Sequence, residues 1–274
     1  MNAGAGAVRC FKGTARVAAP DPGHRGIAYG DGLFETMRVQ AGAVPWWDAH
    51  WARLALGAAR LGIALPDAAF ARAQAGALFA DGGDGVLKLV VARGGIARGY
   101  APQAGAPPAW QLSRHPLPAP PAAGLRLHWC DTRLALQPAL AGIKHCNRLE
   151  QVLARAECDA AGCDEGLVRD TEGFVVSATA ANLFVLRGGR WSTPPVDRCG
   201  VAGVCRARLL PALHAQEARL SVADVEGADA VFLCNAVRGI LPVASLGSRR
   251  WPPADDALAA ARRALAHSHP GQER

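Results

Sequence analysis

Lysine is nearly missing from this 274-residue sequence. Of its 30 basic residues only Lys12, Lys88 and Lys144 are lysines, and the rest are arginines. Aromatic residues are also scarce, at 6%. A nucleic-acid surface needs clustered basic residues, often with aromatic platforms between them. Here the formal charge of +7 is spread singly, and Arg249–Arg250 and Arg262–Arg263 are the adjacent pairs. The charge therefore reads as solvated surface, and no nucleic-acid partner is expected. The eight cysteines show no CxxC spacing, and His145–Cys146 has no matching pair. That excludes a zinc motif and a disulfide framework, and it fits free thiols in a reducing compartment. No apolar run approaches the length of a membrane span. The opening MNAGAGAVRCFKGTARV has no apolar signal-peptide segment. The expected location is cytoplasmic, with no membrane partner and no metal.

What the sequence has is apolar residues: they make up half of it, enough for a sizeable core. The sharpest change of composition is the proline-rich stretch 101–124. It divides the chain into an N-terminal α+β domain, 1–113, a linker, 114–123, and a C-terminal α+β domain, 124–274. Strands are expected at 33–39 and 86–92, with a short one near Trp110–Ser113 and others beyond the linker. The runs 166–176 and 183–192 read as strand pairs turned at DTEG and RGG. Helices are expected at Asp48–Leu61, at Asp67–Ala80 with Asp67 as N-cap, and at 147–161, 204–217 and 255–267. Pro211 should kink or interrupt the fourth of these.

Lys144 precedes the helix expected at 147–161. Asn147 and Glu150 have the spacing of a capping box. Leu149, Val152, Leu153 and Ala156 would form that helix's apolar face. Upstream lies the small, apolar LAGI. A poorly hydrated amine gives up its proton more readily and becomes a nucleophile and base. A surface lysine with a snorkelling stem is the plainer alternative, and Lys88 and Lys12 compete for the chemical role. In CGVAGVCRARLL, 199–210, Gly200 and Gly203 lead into a helix whose first N–H groups, at Val204 and Cys205, suit an anion; an ordinary loop-to-helix junction reads the same. Asn235 closes a strand and could face a cleft or form a turn. In HWARL, Arg53 could clamp a phosphate or form a partly covered ion pair.

Taken together, RGIAYGDGLFETMRV, HWARL, GVLKLVVARGGIARGY, LAGIKHCNRLEQVLARAE, DEGLVRDTEG, AANLFV, GVAGVCR and CNAVRGILPV resemble the fold-type IV pyridoxal-phosphate enzymes. Within that group GIKHxNRLEQVL and RGY are most similar to the aminodeoxychorismate lyases of folate biosynthesis. YGDGLFET and NLF are shared with the branched-chain and D-amino-acid aminotransferases. The resemblance implies a two-domain α+β enzyme with its active site at the domain interface, a homodimer, and pyridoxal 5'-phosphate as cofactor. It implies a lyase that converts 4-amino-4-deoxychorismate to p-aminobenzoate and pyruvate. Lys144 matches the Schiff-base lysine and proton carrier. Arg53, Val204, Cys205 and Asn235 match the phosphate cup. Tyr29 and Thr36 match positions lining the site, Thr36 alongside Lys144 in the catalytic set. Arg98 and Tyr100 match a loop that meets substrate carboxylates.

One residue departs from the family pattern. Where family members carry a glutamate that keeps the pyridine nitrogen protonated, this chain has Ser177. A hydroxyl cannot neutralise a pyridinium, so the ring is a weaker electron sink. Transamination should suffer more than an elimination that is drawn forward by aromatisation. Two alternatives stay open: an aminotransferase of the same fold, and a catalytically impaired relative that keeps the cofactor.

Overall fold

The computed structural model describes residues 7–21, 23–95, 99–103, 105–120 and 124–266. These fall into two compact units. One runs to Leu117 and takes in Ile143–Asn147; the other comprises Pro118–Gly142 and the chain from Arg148 onward. The five residues around Lys144 thus cluster with the first unit, although the chain reaches them only after 25 residues of the second. None of the described helices is long and apolar enough to cross a membrane.

The first unit contains β1 (Val8–Lys12), β2 (Ala15–Val17), α1 (Arg25–Ala28), β3 (Gly32–Val39), α2 (Trp47–Leu61), α3 (Ala68–Leu78), β4 (Gly85–Ala92) and β5 (Ala109–His115). The strands form an antiparallel sheet in the order β2-β1-β5-β4-β3. Side chains alternate across a strand, and β3 follows that rule closely. Leu33, Glu35, Met37 and Val39 are buried, while Phe34, Thr36 and Arg38 are half-buried on the opposite face. The buried row packs with Leu54 and Ala58 of α2, Ala71 and Ala75 of α3, and Leu87, Leu89 and Val91 of β4. Asp67 caps α3 as its position in the sequence suggests, accepting a 2.8 Å hydrogen bond from Phe70 N.

The second unit contains β6 (Leu125–Leu134), α4 (Leu149–Ala160), β7 (Glu165–Asp170), β8 (Val175–Ala178), β9 (Asn182–Arg187), β10 (Arg190–Thr193), α5 (Val204–Ala212), β11 (Gln216–Glu217), α6 (Val222–Glu226), β12 (Ala230–Asn235), β13 (Gly239–Leu246), β14 (Arg249–Arg250) and α7 (Asp255–Ala266). Its strands make one mixed sheet, β11-β10-β9-β12-β13-β6-β7-β8, with β14 added beside β13. The expected hairpins are present as β7–β8 and β9–β10.

Two expectations fail at helix ends. The Asn147–Glu150 capping box does not form: Arg148 is the N-cap, and the Glu150 carboxylate instead accepts from Ala135 N at 2.8 Å. The apolar stripe of α4 faces away from the core: Leu149, Val152 and Leu153 are exposed, and Ala154 and Cys158 are the buried pair. The helix expected at 204–217 stops at Ala212, one residue past Pro211. His214 then takes a positive φ of 47° and the chain becomes strand β11.

Candidate active site

Lys144 is held by its neighbours' backbone. Its carbonyl accepts from Phe34 N at 3.0 Å, and Cys146 N donates to Gly32 O at 2.9 Å, so residues 144–146 run as a short antiparallel extension beside the start of β3. Two glycines permit this approach. A Cβ on Gly57 of α2 would lie 3.0 Å from Ile143 and 3.1 Å from Leu33, and one on Gly30 would lie 2.4 Å from the Asn147 side chain. The Lys144 Nζ sits 4.1 Å from the centroid of the Phe34 ring. Lys88 Nζ lies 5.7 Å from the same ring, and Lys88 is the cross-strand partner of Thr36. One sheet face therefore carries two ammonium groups, one aromatic ring and one hydroxyl residue. Lys12 and Lys88 are exposed and Lys144 is half-buried, which sets Lys144 apart from both of its competitors.

Arg53 is fixed from the other side of β3. Its Nε donates to Glu35 Oε1 at 2.8 Å and its Nη2 donates to Glu35 Oε2. His50 Nδ1 meets the same Oε2 at 2.6 Å. A buried carboxylate is tolerated only when paired and hydrogen-bonded. Burial pushes the Glu35 carboxyl up, but the His50 hydrogen bond and the Arg53 charge and hydrogen bonds outweigh it, and the group is held below its ordinary range. His50 is pushed down by burial; Arg53 and Lys144 add to this and Glu35 opposes it. The triad is therefore a neutral imidazole, a carboxylate and a guanidinium. Glu35 went unnoticed in the sequence, where it looks like a polar interruption of a core row.

In the second unit the glycine loop does enter a helix. Gly203 is the N-cap of α5, no side chain caps that end, and Val204 and Cys205 form its first turn. Gly200 sits at φ +84°, where a side chain would be strained and its Cβ would lie 2.9 Å from Val176. Gly142, two residues before Lys144 in the chain, anchors this loop: its N–H donates to Gly200 O and its carbonyl accepts from Ala202 N, each at 3.0 Å. Burial, and then the neighbouring Cys205, push the thiol of Cys234, the residue before Asn235, well above its ordinary value. Asn235 itself makes the turn: its Oδ1 accepts from Val237 N at 3.1 Å and Arg238 N at 2.8 Å, and its Nδ2 donates to Ala180 O at 3.3 Å. A dipole-bearing N-terminus without a side-chain cap, entered through glycine, suits a phosphate.

Ser177 is half-buried on β8, opposite Val168 of β7. The acidic residues near it in sequence are already engaged. Asp164 pairs with Arg126, and Glu172 with Arg198 and Arg219. Glu165 is buried, and it accepts from the Thr179 hydroxyl and from Gly166 N. Tyr29 and Tyr100 are together, with ring centroids 5.4 Å apart. Arg98 lies outside the described residues.

Residues 32–246 match the amino-transferase class IV family. The chain belongs to that family. It is 35% identical over 235 residues to aminodeoxychorismate lyase of Vibrio harveyi, covering 82% of this chain and 87% of that protein. The crystal structure of 4-amino-4-deoxychorismate lyase from Pseudomonas aeruginosa superposes with a TM-score of 0.85 at 43% identity, over 97% of this chain and all of that one. An aminotransferase from Brucella abortus bound to the cofactor PLP shares the fold, with a TM-score of 0.80, 23% identity, and coverage of 95% and 98%. The class IV family is thus the frame for this chain: a fold-type IV, PLP-using architecture with lyases and aminotransferases among its relatives.

Proposed function

We propose that this protein is a pyridoxal-phosphate-dependent carbon–oxygen lyase that converts 4-amino-4-deoxychorismate to p-aminobenzoate and pyruvate, a step of folate biosynthesis. The observation that carries the reading is Lys144, a backbone-anchored, half-buried lysine with its ammonium against Phe34. Similarity to two lyases at 35% and 43% identity favours elimination over amino transfer. Pyridoxal phosphate, when bound, supplies an aldehyde that condenses with amines and a conjugated ring that accepts electrons from the neighbouring carbon. Lys144 Nζ holds the cofactor at rest. Once the substrate amine takes its place, the freed Nζ removes the proton from substrate C4 and returns a proton as the enolpyruvyl oxygen departs. Arg53, its plane set by Glu35, binds the phosphate together with the N–H groups of Val204 and Cys205 and with Asn235. Ser177 meets the ring nitrogen. Tyr29 and Thr36 line the substrate, and Arg98 and Tyr100 hold its carboxylates. The protein acts as a homodimer.

The test uses the purified protein. Wild type should absorb above 400 nm, release pyruvate from 4-amino-4-deoxychorismate, and after borohydride carry the cofactor on the peptide containing Lys144. Lys144→Ala should lose the band and fall in rate by at least about a thousandfold, the scale of losing a group that both binds and moves protons. Pyruvate release by the alanine variant at the parent rate would refute the assignment. Pyridoxamine phosphate formation with amino-acid donors, and no pyruvate, would make the protein an aminotransferase instead.

A further inference from the structure

Arg25 is buried, although nothing in the proposed chemistry uses it. It opens the four-residue helix α1, and its guanidinium is turned toward another part of the first unit. Nε donates to Asp31 Oδ2 at 2.8 Å. Nη1 donates to the carbonyls of Gly99 at 3.0 Å and Ala101 at 3.3 Å, and Nη2 to the carbonyl of Tyr100 at 3.0 Å. Three successive carbonyls thus converge on one side chain. Asp31 is shared with Arg93, whose Nε approaches the same Oδ2 at 2.9 Å and whose other nitrogens donate to the carbonyls of Leu61 and Gly62.

Gly99–Ala101 belongs to no helix or strand. Tyr100 is 84% exposed, so its own burial does not fix it. What touches its ring is Tyr29, and the Arg25 guanidinium carbon lies 5.2 Å above the Tyr29 ring centre. Tyr29 adjoins Gly30, which packs on Asn147 at the end of the Lys144 segment. A single guanidinium therefore ties the 99–101 backbone and its aromatic pair to the structure that carries Lys144. Lysine could not replace it: one ammonium cannot direct separate donors at three carbonyls and a carboxylate in this planar arrangement.

We propose that Arg25 is a positioning residue: it fixes the Gly99–Ala101 segment, and with it the Tyr29–Tyr100 pair, for capture of the anionic end of the substrate. The capture half rests on the lyase reading above; the fixing half does not. A merely structural arginine would lower stability when changed and leave substrate affinity alone. Arg93 provides that control, because it shares Asp31 but holds Leu61 and Gly62 instead.

The test compares holoenzymes of wild type, Arg25→Lys and Arg93→Lys. Chymotrypsin cleavage after Tyr100 should accelerate about tenfold or more in Arg25→Lys, the scale of losing one charge-assisted hydrogen bond. It should stay near the parent rate in Arg93→Lys. With 4-amino-4-deoxychorismate, Arg25→Lys should raise KM by about tenfold and leave kcat and the absorbance above 400 nm largely unchanged, the signature of lost substrate binding. Should Arg25→Lys fail to fold, Tyr100→Ala, at an exposed position, should show the same KM rise. Cleavage at the parent rate in Arg25→Lys overturns the fixing role. A fall in kcat at constant KM in either variant overturns capture. A wild-type enzyme that turns over none of this substrate removes the lyase reading and capture together, and the cleavage rates still decide the fixing role.

Discussion

A neutral histidine buried against a carboxylate couples folding to protons, and His50 is such a residue. Its folded-state pKa lies below its ordinary value of 6.5, with burial as the largest cause. As pH falls through 6.5 the unfolded chain takes up a proton there that the folded chain still refuses. Stability is therefore lost on acidification through that window. Glu35 acts in the same direction lower down, because its carboxyl is held below its ordinary 4.5. Its contribution is present above that pH and lost below it. The thermal midpoint should fall between pH 7 and pH 5, and His50→Gln, which keeps a donor for Glu35 but cannot be charged, should flatten that slope. An unchanged slope in the variant would place the proton uptake elsewhere. Sequence made Lys144 and Arg53 visible because each stands out chemically in its own segment. Glu35 was not visible because its burial depends on partners 15 and 18 residues away, which only the packing of α2 on β3 brings to it.

Among the elements, α5 carries the sharpest prediction. No side chain caps its N-terminus, and the N-cap position is crowded: a Cβ on Gly203 would lie 2.0 Å from Asn182 Oδ1. Asn182 is itself buried and tied to Val201 O at 3.0 Å, so it cannot swing away freely. Gly203→Ala should displace the loop and weaken pyridoxal-phosphate binding by about tenfold or more, roughly 1.4 kcal/mol. Equilibrium titration of the absorbance band measures it, and wild-type affinity in the variant would show that this N-terminus does not hold the cofactor. The start of α5 was legible from its glycines, as the start of α3 was from Asp67. The start of α4 was not, because Glu150 has a better donor in Ala135 N than its own helix offers. The end of α5 was misjudged because apolar periodicity continues past Pro211 while the backbone does not.

For the whole molecule the question is what covers α4. Periodicity correctly put Leu149, Val152 and Leu153 on one helix face, but periodicity cannot say which neighbour that face meets. In the single chain Leu149 is 78% exposed, Val152 60% and Leu153 59%. Fully burying an aliphatic side chain is worth about 1.5–3 kcal/mol, so three left in water are a substantial cost unless something covers them. A second copy of this chain is the occupant that the proposed homodimer supplies. Light scattering should then give twice the 28.5 kDa chain mass. Leu149→Glu with Leu153→Glu puts two charges on that face. Each unpaired charge would have to be buried for the dimer to form. The double variant should run as a monomer at micromolar concentration with its helical signal intact, since both positions face solvent within one chain. If it remains dimeric, α4 lies outside the contact. If wild type is itself monomeric, the homodimer is wrong, and the stripe stands bare at the cost its exposure implies.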